Sequence, residues 1–317
     1  MAKENSFYPE REGHYDDEVQ IRKFVPRTWK NELREVTGEN APDQRDGDAK
    51  SRVGSMLLAV CVAIRNVVVG GNLASTGLIG SPQKLVAYVS ESLFLYRLMA
   101  QKSDLPQVQV WKGLGLPAEA ARIEVMLCAE AAEEWFRNVP SYGMDLVSLC
   151  TLCRLLRPRV IFEIGTLRGS GALHLAANSP GAEVYTLDLG PSDRPSLSTT
   201  VVDDSHVRYH SEVRKYYFSG RPEEQRIHCL FGDSAKFDFS PWEQRVDLFF
   251  IDGAHSYNYV HNDTLKALKC CRPGSVLAWH DYGRAGLNGV SKWLHEFRGQ
   301  GRQIYRTPGG SLAYARL

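Results

Sequence analysis

The stretch that decides the fold is VIFEIGTLRGSG, at residues 160–171. It opens with a short apolar run around one acid, Glu163, which is the pattern of a strand buried on both faces. Gly165 and Gly169 follow, and they let the backbone turn tightly and approach a ligand where a Cβ would clash. Their spacing is not that of dinucleotide enzymes. The acid suits a ligand with a cationic end, although a plain strand-to-helix turn would read the same way.

Outward from this stretch, strands alternate with helices from about residue 141 to the end of the sequence. Further strands are predicted at Glu183–Leu189, Ile227–Phe231, Val246–Ile251 and Ser275–Trp279, with helices between several of them. Such alternation predicts an α/β fold with a parallel, doubly wound sheet and right-handed crossovers. Residues 303–306 and 311–315, around a Pro-Gly-Gly turn, predict a closing hairpin.

Two zones precede this alternating region. Residues 1–50 are rich in charge and interrupted by proline and glycine, which predicts an irregular N-terminal arm. Residues 51–140 predict a helical accessory region, with helices at Ser90–Ala100 and Ala118–Phe136. Such apolar helices need a surface to bury against, so this region is interpreted as a substrate lid, a dimer interface or both.

The composition excludes some classes of partner. Lys and Arg together number 38 and Asp and Glu 37, so clustered positive charge for nucleic acid or an anionic membrane is not expected. The seven cysteines show no disulfide framework, which favours free thiols in a reducing cytoplasm. The polar start carries no secretory signal, and the apolar run at 56–64 is too short to cross a bilayer.

Polar residues follow every predicted strand of the sheet. In open α/β sheets, ligands bind beyond the carboxyl ends of the strands. Buried carboxylates and imidazoles at such places are costly unless a ligand or metal uses them, although each one alone could be a loop brace. The residues that end the second to fifth strands are Asp188, Leu189, Gly232, Asp233, Ser234, Asp252, His255, His280 and Asp281.

Together, EIGTLRG, the acid Asp188, GDS, FIDGAHSY and WHDY resemble the class I S-adenosylmethionine-dependent methyltransferases, and in particular bacterial small-molecule O-methyltransferases with an FIDGAH segment. The resemblance covers roughly residues 141–317. It implies a seven-stranded Rossmann-like sheet with an antiparallel last strand. It also implies that the cofactor S-adenosylmethionine is held by Glu163, Gly165, Thr166, Gly169, Asp188, Leu189, Gly232, Asp233, Ser234 and Asp252. Within this set, Glu163 and Gly165 would hold the methionine end, Asp188 the ribose, and Asp233 with Ser234 the adenine.

The resemblance further implies a metal site and a base. In related metal-dependent methyltransferases, an acid after the fourth strand and an Asp-Asn pair after the fifth bind Mg²⁺. Here Asp252, His280 and Asp281 would hold Mg²⁺ or another divalent cation, with His280 departing from the oxygen ligands that Mg²⁺ prefers. Methyl transfer needs little beyond alignment of the acceptor and removal of its proton. His255 is predicted as the base, His280 is the alternative, and Asp252 would orient an imidazole or bind the metal.

The expected function is methyl transfer to a hydroxyl of a small-molecule acceptor, such as a sugar, a phenol or a natural product. A non-catalytic methyltransferase-like binding module and an N-methyltransferase are the alternatives. A nucleic-acid methyltransferase is disfavoured by the near-neutral charge, and an NAD oxidoreductase by the glycine spacing. The expected partners are the acceptor and a second copy of the chain, bound through the N-terminal helices, with no nucleic acid and no membrane.

Overall fold

The computed structural model describes residues 60, 63–64, 66–71, 73, 80–100, 104–117, 122–138, 140–210 and 215–317. The predicted arm, residues 1–50, lies outside the described residues. The helices are Pro82–Ala100 (α1), Val110–Gly113 (α2), Ala129–Asn138 (α3), Pro140–Leu156 (α4), Ser170–Ala177 (α5), Val201–His210 (α6), Tyr257–Cys270 (α7) and Asn288–Gly299 (α8). The strands are Val160–Ile164 (β1), Glu183–Asp188 (β2), Ile227–Phe231 (β3), Val246–Ile251 (β4), Cys271–Trp279 (β5), Tyr305–Arg306 (β6) and Ala313–Arg316 (β7).

The strands form one seven-stranded sheet in the order β3-β2-β1-β4-β5-β7-β6. The first five strands in this order are parallel, and β7 pairs antiparallel with both β5 and β6. The predicted doubly wound α/β sheet with an antiparallel last strand is therefore confirmed. Strands β1, β3 and β4 also have the predicted bounds.

Helices bury both faces of the sheet, because apolar side chains of neighbouring strand positions point in opposite directions. On one face, Phe162 of β1 packs in a buried cluster with Trp293 of α8. On the other face, Ile161 packs with Leu152 of α4 and Leu173 of α5. In the part of the chain that the structure describes, no helix is both long and apolar enough to cross a bilayer.

A buried hydroxyl ties α7 to its neighbours. Thr264 Oγ1 accepts hydrogen bonds of 2.9 Å from the indole nitrogens of Trp279 on β5 and Trp293 on α8. The same hydroxyl donates to the backbone oxygen of Val260, one turn earlier. Buried indole N–H groups are thereby satisfied, which fixes the position of α7 and of the loop that precedes it.

The helix predicted over Ala118–Phe136 is wrong in its first half. Residues 122–128 have no regular structure, α3 begins at Ala129, and residues 118–121 lie outside the described set. The backbone of Met126 exchanges hydrogen bonds of 2.7 and 2.8 Å with the amide of Asn178, and Cys128 N donates to His174 Nε2 at 3.1 Å. These tertiary bonds replace the helical ones and override the local propensity.

Helix α6 is not predicted from the sequence. It begins at Val201, where Asp203 Oδ2 accepts a hydrogen bond from the backbone of Thr200 and the hydroxyl of Thr200 accepts one from Asp203 N. This reciprocal capping satisfies donors in the first turn of the helix. The apolar residues of this short helix do not recur at helical spacing, so the sequence pattern does not predict a helix here.

A buried acid of α7, Asp263, should make stability fall with rising pH. Burial raises its pKa from 3.8 to about 7, although hydrogen bonds from Ser234 and Asn262 lower it. Between about pH 4 and pH 7, the folded chain therefore holds a proton that the unfolded chain has released, which destabilises the folded state as pH rises. The free energy of unfolding of the Asp263→Asn variant should not show this decrease, which in the wild type reaches up to about 4 kcal/mol at pH 8.

Urea unfolding at pH 4.5, 6 and 8 would measure the effect. The control is Glu243→Gln, at an exposed acid. If the difference in unfolding free energy between Asp263→Asn and the wild type stays constant across this pH range, the account of Asp263 is wrong.

Candidate active site

The parallel strands end in step at one edge of the sheet. The first backbone N–H beyond a strand donates to a carbonyl near the end of the neighbouring strand, at 2.8–3.0 Å. These bonds run from Gly165 to Leu187, from Asp252 to Ile164, from Gly232 to Asp188 and from His280 to Ile251. The structure therefore brings the predicted site residues together along this edge, while what each of them binds stays a prediction.

The loop after β1 is shaped by contacts with its own chain. Gly165 has a φ of +103°, and a Cβ at this position would lie 2.1 Å from the backbone oxygen of Asp252. Gly169 has a φ of +76°, and its Cβ would lie 2.4 Å from the ring of Phe218. Only glycine meets both demands at these positions. The loop is thus pressed against the loop after β4 on one side and an aromatic ring on the other.

A group of acids lies at the ends of β1, β2 and β4. Glu163 is buried, and its carboxylate accepts a 2.6 Å hydrogen bond from Thr186, whose hydroxyl lies 2.7 Å from that of Thr166. Burial raises the pKa of Glu163 well above its ordinary value, and the charges of Asp252 and Asp188 raise it further. A cationic ligand would relieve this crowding of negative charge.

The acid that ends β2 holds the glycine-containing loop. Asp188 accepts hydrogen bonds of 2.8 Å from the backbone N–H groups of Leu167 and Leu189, one from each of its carboxylate oxygens. Leu167 has a φ of +46°, an uncommon conformation for a leucine. The charge of Asp188 therefore helps to fix the strained turn that follows β1.

The acid after β3 is engaged within the protein. Asp233 accepts hydrogen bonds from the backbone and hydroxyl of Ser196, from the hydroxyl of Tyr259 at 2.9 Å and from Ala235 N at 3.0 Å. Burial raises the pKa of Asp233, but these hydrogen bonds outweigh it and lower the pKa below its usual value. Asp233 thus fastens the segment after β2 to α7.

His255 lies between two buried carboxylates. Its Nδ1 is 2.6 Å from Asp203 and its Nε2 is 2.9 Å from Asp281, while its backbone N–H also donates to Asp203. Burial lowers the pKa of His255, but the two carboxylates raise it to about 10. At neutral pH the ring is therefore a cation that donates from both nitrogens. Asp203 was missed by the sequence analysis, because α6 was missed.

His280 occupies a second carboxylate cage. Its Nδ1 lies 3.0 Å from Asp252 and 3.1 Å from Asp281. Its Nε2 lies 3.3 Å from Asp145, an ion-pair distance that is too poorly aligned to count as a hydrogen bond. Burial lowers the pKa of His280, but the charges of Asp252 and Asp281 raise it well above its ordinary value. Tyr142 donates to the second oxygen of Asp281 at 3.0 Å.

The three residues that the sequence analysis assigned to a divalent cation do meet. Asp252, His280 and Asp281 each offer a ligand atom, and these atoms lie within 4.8 Å of one another. Two carboxylates with one imidazole, once the metal has replaced the imidazole proton, suit a borderline metal such as Zn²⁺ better than Mg²⁺. The donor set therefore fits a divalent cation.

Several residues of α3 and α4 that border this cluster were not predicted. The rings of Trp135 and Tyr142 lie 5.3 and 4.8 Å from that of His280. Asp145 also accepts hydrogen bonds from both the backbone and the hydroxyl of Ser311, in the closing hairpin. The sequence gives no signal for these contacts, because the residues lie far from the motifs along the chain.

Replacement of Asp203 should change how His255 titrates. In Asp203→Asn the Nδ1 side of the ring loses its negative partner, so the pKa of His255 should fall from about 10 by at least roughly one unit. Long-range ¹H–¹⁵N NMR of the imidazoles from pH 6 to 11 would follow it. Asp204→Asn, at the next residue, which pairs with Lys84, is the matched control. Equal titration in both variants would contradict the assignment.

The chain is similar to one protein family and to several solved structures. Residues 162–282 match a family model described as a methyltransferase domain. The O-methyltransferase TomG from Streptomyces achromogenes is 17% identical, with 67% of this chain and 99% of that chain covered and a TM-score of 0.42. An O-methyltransferase from Bacillus cereus is 17% identical over 66% of this chain and 100% of that chain, with a TM-score of 0.40. The Podospora anserina methyltransferase PaMTH1 is 15% identical over 63% and 92%, with a TM-score of 0.41.

Structural similarity at this level does not bear on the molecule that this chain acts on. The family match bears on the site itself, because its bounds run from β1 to just beyond β5 and enclose the predicted site residues. Residues 162–282 thus resemble a methyltransferase domain, and the order of the strands is the doubly wound one that the sequence motifs predicted.

Proposed function

We propose that this protein transfers the methyl group of S-adenosylmethionine to a hydroxyl of a small-molecule acceptor. The observation that carries this proposal is the group of acids around Glu163, at the sheet edge where the strands end. S-adenosylmethionine has two cationic groups, an ammonium and a sulfonium. A crowded, buried carboxyl is stabilised by such a ligand, whereas it would repel a phosphate.

The residues that would bind the cofactor follow from this orientation. Glu163 and the turn from Gly165 to Gly169 would hold the methionine end, and Asp188 would accept hydrogen bonds from the ribose hydroxyls. The segment Gly232–Ser234 would border the adenine. Because the carboxylate of Asp233 is held by Ser196 and Tyr259, we assign the adenine contacts to the backbone of this segment and to Ser234.

The chemistry asks the protein to align the acceptor oxygen with the methyl group and to take its proton. We assign His255 as the base that takes the proton of the acceptor hydroxyl, because the bond from Nδ1 to Asp203 fixes the ring with Nε2 toward Asp281. While Asp281 accepts from Nε2, the ring stays protonated. His255 can therefore act as a base only after its Nε2 proton has passed to Asp281 and the acceptor hydroxyl has taken the place of Asp281 at Nε2.

Asp252, His280 and Asp281 would hold a divalent cation in this proposal. Such an ion, when bound, supplies positive charge that acidifies an acceptor hydroxyl. The side chains themselves orient one another, because His280 lies between the two carboxylates and Tyr142 donates to Asp281. Burial of the cluster keeps bulk water from the groups that face the acceptor.

Two further expectations concern the setting of the enzyme. The described cysteines are free, which supports a reducing cytoplasm. Helix α1 exposes the apolar side chains of Val86, Val89 and Leu93, which supports a homodimer formed through the N-terminal helices.

The Asp188→Asn variant should bind the cofactor product S-adenosylhomocysteine about 10- to 100-fold more weakly than the wild type. The amide cannot accept from two ribose hydroxyls as a carboxylate does, and hydrogen bonds to charged groups contribute about 1.5–3 kcal/mol. Titration calorimetry gives the affinity, with the exposed Asp238→Asn as the control. Equal affinity in the two variants would remove Asp188 from the cofactor site.

The His255→Ala variant should lose methyl transfer by at least about 100-fold while it keeps its affinity for S-adenosylhomocysteine, since general-base catalysis contributes about that much. Acceptor extracts would be screened with methyl-labelled cofactor, with and without EDTA, on the wild type and both variants. The control is His228→Ala, at an exposed histidine paired with Glu183. Loss of methyl transfer with EDTA would support the cation site. Unchanged transfer in His255→Ala would exclude His255 as the base. Binding of the cofactor by the wild type without transfer to any extract would favour a non-catalytic module.

A further inference from the structure

A cavity of about 610 Å³ lies beside the site, outside the residues assigned so far. Its walls come from α1, from the segment 194–202, from the beginning of α7 and from Lys292 on α8. This volume is in the range of pockets that take up drug-sized organic ligands and is larger than a single phenol ring needs.

The cavity adjoins the proposed base. Ser256, which lines it, directly follows His255 in the chain. Asp204 also lines it and pairs with Lys84 of α1, while the preceding residue, Asp203, binds the ring of His255. Two residues that line the cavity, on separate elements, are therefore the chain neighbours of His255 and of Asp203.

Glu91 is the unusual group in the wall. It lies on α1, is only 8% exposed and lines the cavity. Within the part of the chain that the structure describes, its carboxyl has no hydrogen-bond partner. Burial raises the pKa of Glu91 to about 7, the charge of Lys292 lowers it, and the charge of Asp203 raises it. A carboxyl in the wall of a cavity needs a hydrogen-bond donor, which a ligand in the cavity can supply.

Lys292 complements Glu91 in charge and in hydrogen bonding. Its ammonium lies 4.7 Å from the ring centre of Tyr257, which also lines the cavity, and it can still donate toward the open volume. A carboxylate accepts and an ammonium donates, so neighbouring hydroxyls of one ligand satisfy both at once. Lys84, Arg194 and Asp204 also line the cavity, and Lys84 pairs with Asp204, so the wall carries both signs of charge. A ligand with a strong charge of one sign is therefore disfavoured.

The remaining lining matches a ligand with many hydroxyls. Short hydroxyl side chains and apolar residues both line the cavity, with Ser90, Ser198 and Thr199 among the first kind and Leu73, Leu197 and Val207 among the second. Hydroxyl side chains both donate and accept, and apolar side chains pack against the C–H faces of a sugar ring.

We propose that this cavity is the acceptor pocket and that Glu91 and Lys292 bind adjacent hydroxyls of a neutral, polyhydroxylated acceptor. The inference rests on the proposed methyl transfer and deepens it, because it names the substrate class. Glu91 and Lys292 position the acceptor and take no part in proton removal.

The test uses methyl α-glucopyranoside and methyl α-rhamnopyranoside as neutral polyhydroxyl probes, with phenol for comparison. Saturation-transfer NMR gives their affinities for the full-length chain, with and without S-adenosylhomocysteine. At least one glycoside should bind the wild type, and Glu91→Met and Lys292→Met should each weaken it about tenfold or more, which corresponds to the loss of one hydrogen bond to a charged group. Glu243→Gln and Lys269→Met, at exposed residues, should stay within about twofold, given the usual small effect of surface substitutions.

Thermal melting and calorimetric affinity for S-adenosylhomocysteine check that each variant is folded. The inference is overturned if no glycoside binds the wild type, if phenol binds in preference, or if folded Glu91→Met and Lys292→Met variants bind the glycosides like the controls. Because the titrations are also run without the cofactor product, failure of the proposed methyl transfer has its own signature. In that case S-adenosylhomocysteine would not bind the wild type, whatever the glycosides do.

Discussion

The pairing of buried imidazoles with carboxylates constrains the site more than any other interaction. Two imidazoles lie at the sheet edge, and each is held by carboxylates at 2.6–3.3 Å. An unpaired charge in such a place would cost several kcal/mol, whereas the cage of opposite charges offsets much of that cost. The ring nitrogens and carboxylates therefore determine each other's positions. The four carboxylates are Asp145, Asp203, Asp252 and Asp281.

These carboxylates come from four different parts of the chain, and so the cage joins the elements that supply them. Asp145 lies on α4, Asp203 on α6, and Asp252 and Asp281 follow β4 and β5. Asp145 also binds the hairpin that leads to β7, through the backbone N–H groups of residues 311 and 312. Loss of one carboxylate would thus alter the packing of the neighbouring element as well as the charge of an imidazole.

Helix α1 of the accessory region contacts two elements that border the site. Helix α1 contacts α8, where the amide of Asn288 donates to Ser92 at 3.0 Å. Through Lys84 it also reaches Asp204 on α6, beside the carboxylate that holds His255. A shift of α1 can therefore alter the position of Asp203 through the Lys84–Asp204 contact, which does not involve the sheet.

The sheet and its ligand edge could be predicted from local sequence patterns. A buried parallel strand needs a continuous apolar run, and a ligand edge needs glycine and acids directly after it, so the motifs at 160–171 and 246–255 carry both signals locally. The bounds of β1 and β4 followed from them, and the apolar run at 227–231 predicted β3 in the same way. The meeting of Asp252, His280 and Asp281 was implied by the family resemblance. The contact of Asp203 with His255 and the position of Glu91 in the cavity wall could not be predicted in this way. Their helices carry no motif, and a contact between residues far apart in sequence leaves no periodic trace in either segment.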